Sequence, residues 1–267
     1  IGNDWDVRLH GLKARLWDGC GFGSKKATKR FIEWIKIYNP DVIHLHNIHG
    51  YYINIEELFN YLRSSKKRIM WTLHDCWAFT GHCTYFEYIN CNRWQYECRQ
   101  CPQKKEYPAC NLVSRANYNY RMKKKLFTGI ERLQIITPSN WLKDMVKQSY
   151  LKGYPVMTIH NGVDTNIFRY TPSTIREKYN LNDKKIILGV ASIWDKRKGL
   201  KYLVQLSKRL NENYQVVVIG ISEKQKRRLP QNILGILRTD SIFELVAWYS
   251  AADFFVNPTL EDNYPTT

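Results

Sequence analysis

Short apolar runs alternate along the chain with segments whose apolar residues recur at helical spacing. The runs at residues 41–46, 68–73 and 133–137 have the length of strands, and the segments between them are amphipathic. Strands that alternate with helices pair in parallel sheets. The first half therefore predicts a βα layer, although residues 1–24 show no clear periodicity. The glycine cluster at residues 19–23 lacks a preceding strand, so it predicts a flexible turn rather than a dinucleotide-binding loop.

The same alternation starts again in the second half of the chain. Residues 186–191 are continuously apolar, as in a central parallel strand covered on both faces, and residues 215–220 form another run. Ser241 and Glu244 have the spacing of a capping box, which predicts the start of a helix that runs to Ala251. The second half is therefore a second βα array.

The two arrays predict an α/β fold with two Rossmann-like domains that face each other across a cleft. The first domain spans residues 1–160 and contains a cysteine-rich insert at residues 76–110, and the second spans residues 161–267. A chain of 267 residues is long enough for two domains of ordinary size. Because the chain begins with Ile1 rather than Met, we expect an internal fragment of a longer protein in which both domains are incomplete.

The composition favours an acidic partner. Lys and Arg together number 41 against 24 for Asp and Glu, which gives a net charge of +17. Phosphate groups, nucleic acid and an anionic membrane surface would all match this charge. The basic clusters are scattered along the chain, which weakens the case for one nucleic-acid footprint. No apolar segment approaches the roughly 20 residues that a membrane-spanning helix needs.

Residues 195–199 form a loop between a predicted buried strand and an amphipathic helix. This loop places Lys196, Arg197 and Lys198 immediately before the helix. A basic loop at the carboxyl end of a parallel strand and at a helix N-terminus is where α/β proteins hold phosphate. The alternative is an ordinary solvated basic turn.

Six of the seven cysteines lie between Cys76 and Cys110. An odd number of cysteines in an apparently intracellular α/β protein argues against a disulfide scaffold. Four thiolates with a C-x2-C pair could close a tetrahedral zinc site and give the loop-rich insert a core that it otherwise lacks. Reduced free thiols are the alternative. The four candidate zinc ligands are Cys83, Cys91, Cys98 and Cys101.

Several motifs, spread over nearly the whole chain, resemble in the same order the retaining GT-B glycosyltransferases of family four, especially bacterial members that build surface polysaccharides. The matching motifs are residues 41–46 (Asp-Val-Ile-His-Leu-His), 72–75 (Thr-Leu-His-Asp), 138–141 (Pro-Ser-Asn-Trp), 159–164 (Ile-His-Asn-Gly-Val-Asp) with Phe168, 198–199 (Lys-Gly), 252–258 (Ala-Asp-Phe-Phe-Val-Asn-Pro) and Glu261. Each motif is weak alone, and together they are fairly specific.

The resemblance implies an acceptor-side first domain and a nucleotide-sugar second domain. Such an enzyme would move a hexose from a nucleotide-diphosphate sugar to a polyprenyl-diphosphate-linked or oligosaccharide acceptor, with retention of anomeric configuration, in O-antigen, capsule or exopolysaccharide synthesis. It would need no catalytic metal and no nucleic acid. We expect it in the cytoplasm, held at the inner face of the plasma membrane by its positive charge.

Three residues would carry the chemistry that the resemblance implies. Lys198 would face the diphosphate of the donor, and Glu261 would bind ribose or sugar hydroxyls. His74 would contact the donor sugar or polarise the acceptor. The family pairs Glu261 with a second glutamate eight residues further on, which would fall beyond Thr267.

Four further residues would bind the donor by the same resemblance. Arg197 and the helix N-terminus after Gly199 would assist at the diphosphate, where this chain has Ile193 in place of the family's usual arginine. Asn161 and Gly162 lie where the chain crosses between the domains, and they would shape the cleft. Two other functions stay open: a zinc-containing nucleic-acid-binding protein, and a GT-B scaffold that no longer catalyses.

Overall fold

A computed structural model describes residues 1–267 and divides them into two compact units. Unit 1 comprises Ile1–Asn161 and unit 2 comprises Gly162–Thr267. Each unit has a parallel sheet and a core of its own. Among the helices of both units, none combines the length and the apolar character that a membrane crossing requires.

Unit 1 alternates helices with strands around one sheet. Its helices are α1 (Asp4–Trp17), α2 (Lys25–Tyr38), α3 (Ile55–Ser65), α4 (Ala116–Phe127) and α5 (Asn140–Gln148), and its strands are β1 (Val42–His46), β2 (Arg68–Thr72), β3 (Leu133–Thr137) and β4 (Val156–Thr158). Short 3₁₀ helices follow β2 at Trp77–Phe79, Glu87–Ile89 and Arg93–Gln95. The four strands pair in parallel in the order β1-β2-β3-β4.

Aromatic side chains from α3, α4 and β2 form the centre of the unit 1 core. The Phe59 and Phe127 ring centroids lie 4.3 Å apart, and those of Trp71 and Phe127 lie 4.9 Å apart. All three side chains are buried. Burial of large apolar surfaces is the main favourable contribution to folding, so this cluster anchors both helices to the sheet.

Unit 2 repeats the alternation with shorter helices. Its helices are α6 (Ile175–Lys178), α7 (Leu200–Ser207), α8 (Glu223–Lys226) and α9 (Ile242–Ala251), and its strands are β5 (Lys185–Val190), β6 (Tyr214–Ile219), β7 (Ile233–Ile236) and β8 (Phe254–Phe255). The strands pair in parallel in the order β7-β6-β5-β8. Core clusters cover both faces of this sheet, which explains the continuously apolar sequence of its central strands.

The predicted start of helix α9 is confirmed. The Ser241 side chain accepts a hydrogen bond from the backbone N–H of Glu244 at 3.1 Å. The Glu244 carboxylate accepts from the backbone N–H of Asp240 at 2.6 Å, one residue earlier than a standard capping box would have it. The first bond satisfies an amide that the helix leaves unpaired, and the second fixes the residue before the cap.

The spacing of apolar residues does not predict helix α1. Its two buried positions are His10 and Ala14, whereas Trp5 and Leu9 are exposed, so large apolar residues do not mark its inner face. The sequence feature that does indicate the start of this helix is its cap, because Asn3 and Asp6 exchange side-chain to backbone hydrogen bonds.

The cysteine-rich insert has an aromatic core, contrary to the expectation that it needs a metal to supply one. The Trp94 ring packs at 5.4 Å from Phe79 and 5.0 Å from Phe86, measured between centroids. Lys123 of α4 is buried, donates to the carbonyl oxygens of Trp77 and Thr80 and lies over the Trp77 ring. Burial lowers the pKa of Lys123 to about 8, which leaves the ammonium charged at neutral pH.

The glycine cluster after α1 is a fixed loop rather than a flexible turn. His10 Nε2 accepts the backbone N–H groups of both Gly21 and Gly23 at 3.1 Å, and His10 Nδ1 lies 3.0 Å from the Ser24 hydroxyl. Burial lowers the pKa of His10 to about 4. Because the imidazole must be neutral to accept these bonds, the loop depends on its protonation state.

Acidification should destabilise the protein through His10. The folded pKa of about 4 lies below the ordinary value of 6.5, so the unfolded chain binds more protons between these pH values. The free energy of unfolding should therefore fall as the pH drops from 6.5 towards 4. Denaturant unfolding across this window should show a shallower pH slope in His10→Gln than in wild type. His160→Gln is the matched control, and equal slopes in all three proteins would contradict the assignment.

Candidate functional site

Two loops meet at the carboxyl edge of the unit 2 sheet. Strand β5 pairs in parallel with β8, with Ile187 opposite Phe254. Parallel neighbours end at the same edge, where α/β proteins bind their ligands. Residues 191–199 therefore leave the sheet beside residues 256–262, and we call these segments the basic loop and the acidic loop.

Short contacts hold the basic loop against the acidic loop. The backbone N–H of Leu260 donates to the Arg197 carbonyl at 2.8 Å, and the Arg197 guanidinium donates to the Glu261 carbonyl at 2.5 Å. Gly199, the N-cap of α7, has a φ of 77°, and a Cβ there would stand 2.2 Å from the Pro258 carbonyl oxygen. Only glycine combines this backbone angle with so close an approach.

The two loops gather charged side chains in one corner of unit 2. Lys198 Nζ lies 2.5 Å from Asp262 Oδ2, and Arg197 Nη1 lies 3.7 Å from Asp262 Oδ1. The Arg197 and Lys198 side chains are only 15% and 18% exposed, and Glu261 is 6% exposed. The structure thus brings together Arg197, Lys198, Gly199 and Glu261, which the sequence singled out. Such a corner can attract an anion, since two cations and the N-terminus of α7 face one place.

Histidines collect at the carboxyl edge of the other sheet, in unit 1. His46 Nδ1 at the end of β1 lies 3.0 Å from His74 Nε2 just after β2. His44 Nε2 lies 2.8 Å from the Thr72 hydroxyl. Burial lowers the pKa of both His46 and His74, so both rings are neutral at pH 7 and one ring donates to the other. The predicted catalytic residue His74 is therefore part of an imidazole pair.

A second network flanks His74. His49 Nε2 lies 3.1 Å from Asp75 Oδ2, and His49 Nδ1 lies 3.2 Å from the Tyr107 hydroxyl. Asp75 Oδ1 accepts from the backbone N–H of Trp77 at 2.9 Å, which fixes the carboxylate. The network ties the residue next to His74 to the cysteine-rich insert.

The two predicted crossing residues lie at the boundary between the units. Asn161 ends unit 1, and Gly162 begins unit 2. A Cβ at Gly162 would meet no heavy atom within 4 Å, so packing does not require glycine at this position. Their predicted contact with the donor stays a prediction.

The predicted zinc site is not confirmed. A hydrogen bond joins the side chains of Cys83 and Cys101, and this bond lowers the pKa of Cys101 to about 6 while it raises that of Cys83. No group of three or more Cys, His, Asp or Glu side chains is placed to hold a metal ion. The remaining predicted ligands, Cys91 and Cys98, are free thiols as well.

The buried His82 lies beside this thiol pair. His82 Nδ1 lies 2.6 Å from Asp18 Oδ1. Burial opposes the charged form of His82, but the hydrogen bond and the charge of Asp18 raise its pKa. The charge of His82 also helps to lower the pKa of Cys101. The insert is thus tied to Asp18, the residue that follows α1, by a buried acid–imidazole pair.

Comparison with known proteins identifies the family. Residues 10–167, more than half of the chain, match the family described as Glycosyltransferase Family 4. The chain belongs to glycosyltransferase family 4. The matched segment includes His74 and the cysteine-rich insert, whereas Lys198 and Glu261 lie beyond it.

One curated relative of this family 4 chain comes from Escherichia coli K12. It is named "Putative colanic acid biosynthesis glycosyl transferase WcaC" and is 31% identical over 157 residues. The match covers 56% of this chain and 37% of the relative. The chain therefore spans little more than a third of the length of the relative.

Solved structures resemble the family 4 chain in fold. Sucrose-phosphate synthase from Thermosynechococcus elongatus has a TM-score of 0.61 at 16% identity, with 90% of this chain and 57% of that chain covered. A UDP-forming trehalose-phosphate synthase from Burkholderia xenovorans has a TM-score of 0.61 at 14% identity, with 98% and 66% covered. Anabaena HepE in complex with UDP has a TM-score of 0.58 at 10% identity, with 88% and 57% covered. These likenesses confirm the predicted α/β fold with parallel sheets of the GT-B type.

Sequence reasoning missed two features of the candidate residues, one in each unit. Asp262 contacts Lys198 in unit 2, but the sequence did not predict a role for it. The only sequence signal is that Asp262 directly follows Glu261, which forms a pair of adjacent acidic residues. The link from His49 to Tyr107 joins residues 58 apart in sequence, so no local pattern indicates it.

Cys101 should be the most reactive thiol of the insert near neutral pH. Its lowered pKa of about 6 makes it a thiolate at pH 7, whereas burial raises the pKa of Cys98 to about 11 and keeps that thiol protonated. Alkylation by iodoacetamide, followed by peptide mass spectrometry, should give a rate for Cys101 that reaches half its maximum near pH 6.

Substitution of Cys83 tests the cause of the lowered pKa of Cys101, and substitution of Cys110 is the control. Replacement of the hydrogen-bonding partner in Cys83→Ala should raise the midpoint for Cys101 towards the ordinary value of 9.0, because the hydrogen bond is the largest cause of the shift. Cys110→Ala should leave the midpoint unchanged. A wild-type midpoint that already lies near 9 would show that Cys101 is an ordinary thiol.

Proposed function

We propose that the protein is a glycosyltransferase that moves a hexose from a nucleotide-diphosphate donor to a lipid-linked or oligosaccharide acceptor with retention of configuration. In this proposal unit 1 binds the acceptor and unit 2 binds the donor. Membership of glycosyltransferase family 4 supports the class of reaction. The structures of Anabaena HepE with UDP and with UDP-glucose support a nucleotide-sugar donor by analogy of fold.

The observation that carries the proposal is the corner where the basic loop meets the acidic loop. Lys198 and Arg197 lie side by side there, at the N-terminus of α7 and at the carboxyl edge of a parallel sheet. Both cations are partly buried, and a partly buried cation interacts with an anion more strongly than an exposed one does. A nucleotide diphosphate is an anion of suitable charge for this corner.

The reaction needs positive charge next to the diphosphate oxygen that leaves the sugar. As the bond between the sugar C1 and the diphosphate oxygen breaks, the bonding electrons pass to that oxygen, and its negative charge grows. Lys198 and Arg197 would stabilise this charge without a metal ion, because their positions are fixed before the reaction begins. The position of the family's usual arginine is held by Ile193, which is 70% exposed, and Arg197 would supply the second charge instead.

Glu261 and His74 would serve binding and polarisation. Glu261 is buried in the acidic loop, and its carboxylate oxygens can accept hydrogen bonds from ribose or sugar hydroxyls. His74 is neutral and shares a hydrogen bond with His46 through Nε2, so the imidazole pair would act together on a sugar or acceptor hydroxyl. Asn161 and Gly162 would line the approach to the donor. We assign no covalent nucleophile.

The relative from Escherichia coli suggests the pathway. Its name places it in colanic acid biosynthesis, and we propose that this chain likewise acts in bacterial surface-polysaccharide synthesis. The acceptor would then be a growing saccharide on a polyprenyl diphosphate. A protein of net charge +17 would concentrate at an anionic inner leaflet, close to such an acceptor.

Substitution of Lys198 tests the donor site. Calorimetric titration with UDP, GDP and ADP should show micromolar binding of one nucleotide to the wild type. Lys198→Ala should weaken that binding about tenfold or more, as expected when a hydrogen bond to a charged group is lost. Lys196→Ala removes an exposed charge from the same loop and should change affinity less than about threefold.

The pattern of failure is informative. If the wild type binds none of the three nucleotides, the transferase proposal fails and the inactive scaffold becomes the better interpretation. If both lysine variants lose affinity equally, the effect is general charge rather than a contact at Lys198.

Binding to anionic vesicles tests the membrane proposal. Helix α2 exposes Lys29 and Arg30, and on the same helix Trp34 and Tyr38 are 73% and 77% exposed, a combination suited to a lipid interface. Co-sedimentation with phosphatidylglycerol vesicles should fall steeply as salt rises, and neutral phosphatidylcholine vesicles should bind little.

A pair of double variants provides the control for the vesicle assay. Lys29→Glu/Arg30→Glu should lose most of the binding, whereas the same charge reversal at the exposed Lys147 and Lys152 should lose less. Vesicle binding that does not change with salt concentration, or that falls equally in both double variants, would rule out a membrane-facing α2.

A further inference from the structure

Asp262 is the carboxylate that contacts both cations of the corner. Its Oδ2 lies 2.5 Å from Lys198 Nζ, its Oδ1 lies 3.7 Å from Arg197 Nη1, and its side chain is only 12% exposed. The backbone N–H of Asn263 donates to Oδ1 at 3.0 Å, which fixes the orientation of the carboxylate. One carboxylate therefore engages both residues that we assign to the donor diphosphate.

The corner does not need this carboxylate in order to assemble. The two loops are joined by the hydrogen bond from Leu260 to the Arg197 carbonyl, by the bond from the Arg197 side chain to the Glu261 carbonyl, and by the close packing of Gly199 on Pro258. None of these contacts involves the Asp262 side chain. Removal of its charge should therefore leave the loops together and change mainly the electrostatics.

The ammonium of Lys198 has three N–H donors but one positive charge, so a carboxylate and a diphosphate at the corner would share that charge. Lys198 is largely buried, so its charge is stabilised only when a partner compensates for the lost hydration. Asp262 provides this compensation, and a diphosphate bound at the corner would provide it as well. If both anions stayed at the corner, their mutual repulsion would weaken the binding of each.

We propose that Asp262 is a positioning residue that holds Lys198 and Arg197 in place and competes with the donor diphosphate for them. This inference rests on the proposed function. When the nucleoside diphosphate leaves after transfer, the carboxylate takes back the ammonium. Asp262 therefore lowers the affinity for the nucleotide and speeds its release as product.

The sign of one affinity change tests this role. Asp262→Asn keeps the shape and the oxygen that accepts from Asn263 but removes the charge. By calorimetry it should bind UDP, GDP or ADP, whichever the wild type binds, about tenfold more tightly, since a charge beside the ligand is removed. Asp195→Asn is the matched control: this carboxylate lies 4.0 Å from Arg197 and is 42% exposed, and its removal should change affinity less than about twofold.

Kinetics separates competition from a merely structural role. In Asp262→Asn the inhibition constant of the nucleoside diphosphate product should fall, and kcat should fall too if product release limits turnover, while the thermal midpoint stays within a few degrees of the wild type. In the Lys198→Ala background, the effect of Asp262→Asn on affinity should shrink, because the ammonium that the two anions share is gone.

The possible failures point to different errors. If the wild type binds a nucleotide and Asp262→Asn binds it equally or more weakly, Asp262 is not a competitor and this inference is overturned while the proposed function stands. If the wild type binds no nucleotide, both are overturned. Asp262→Ala, measured in parallel, decides the matter if the asparagine variant does not fold.

Discussion

The parallel pairing of β5 with β8 is the constraint on which the candidate donor site depends. The pairing involves few residues, yet it sets the loops that follow both strands side by side. Gly199 completes the arrangement because its backbone lies against the Pro258 carbonyl, where any side chain would collide. Lys198 and Asp262 are 64 residues apart in sequence, and this junction makes them neighbours.

The large excess of positive charge does not leave the buried cations unpaired. Lys198 bonds the Asp262 carboxylate in unit 2, and the fully buried Lys123 bonds two carbonyl oxygens in unit 1. A buried charge without such partners would be strongly destabilising. The difference between the two lysines is in the partner: carbonyl oxygens fixed by the backbone suit a structural role, whereas a single carboxylate can be exchanged for another anion.

Local patterns predicted the elements whose inner faces are apolar. Strands β1, β2, β3, β5 and β6 followed from apolar runs, and the cap of α9 followed from the Ser241 and Glu244 spacing, because burial and capping act over a few residues. Helix α1 did not, since it turns His10 and Ala14 inwards and leaves Trp5 exposed. The cysteine-rich insert was expected to need a metal for its core, but its aromatic residues already form one.

By itself the sequence determined the α/β class, the two βα arrays and the motifs that place the chain in glycosyltransferase family 4. It also indicated Lys198 and Glu261 as candidate site residues, because their types and positions match the motifs of that family. Only the tertiary structure decided which charges meet. The facing of Asp262 with Lys198, and the bond between His46 and His74, depend on how separate strands align in a sheet. Strand alignment is a non-local property, because it is fixed by packing across the whole core rather than by residues near in sequence.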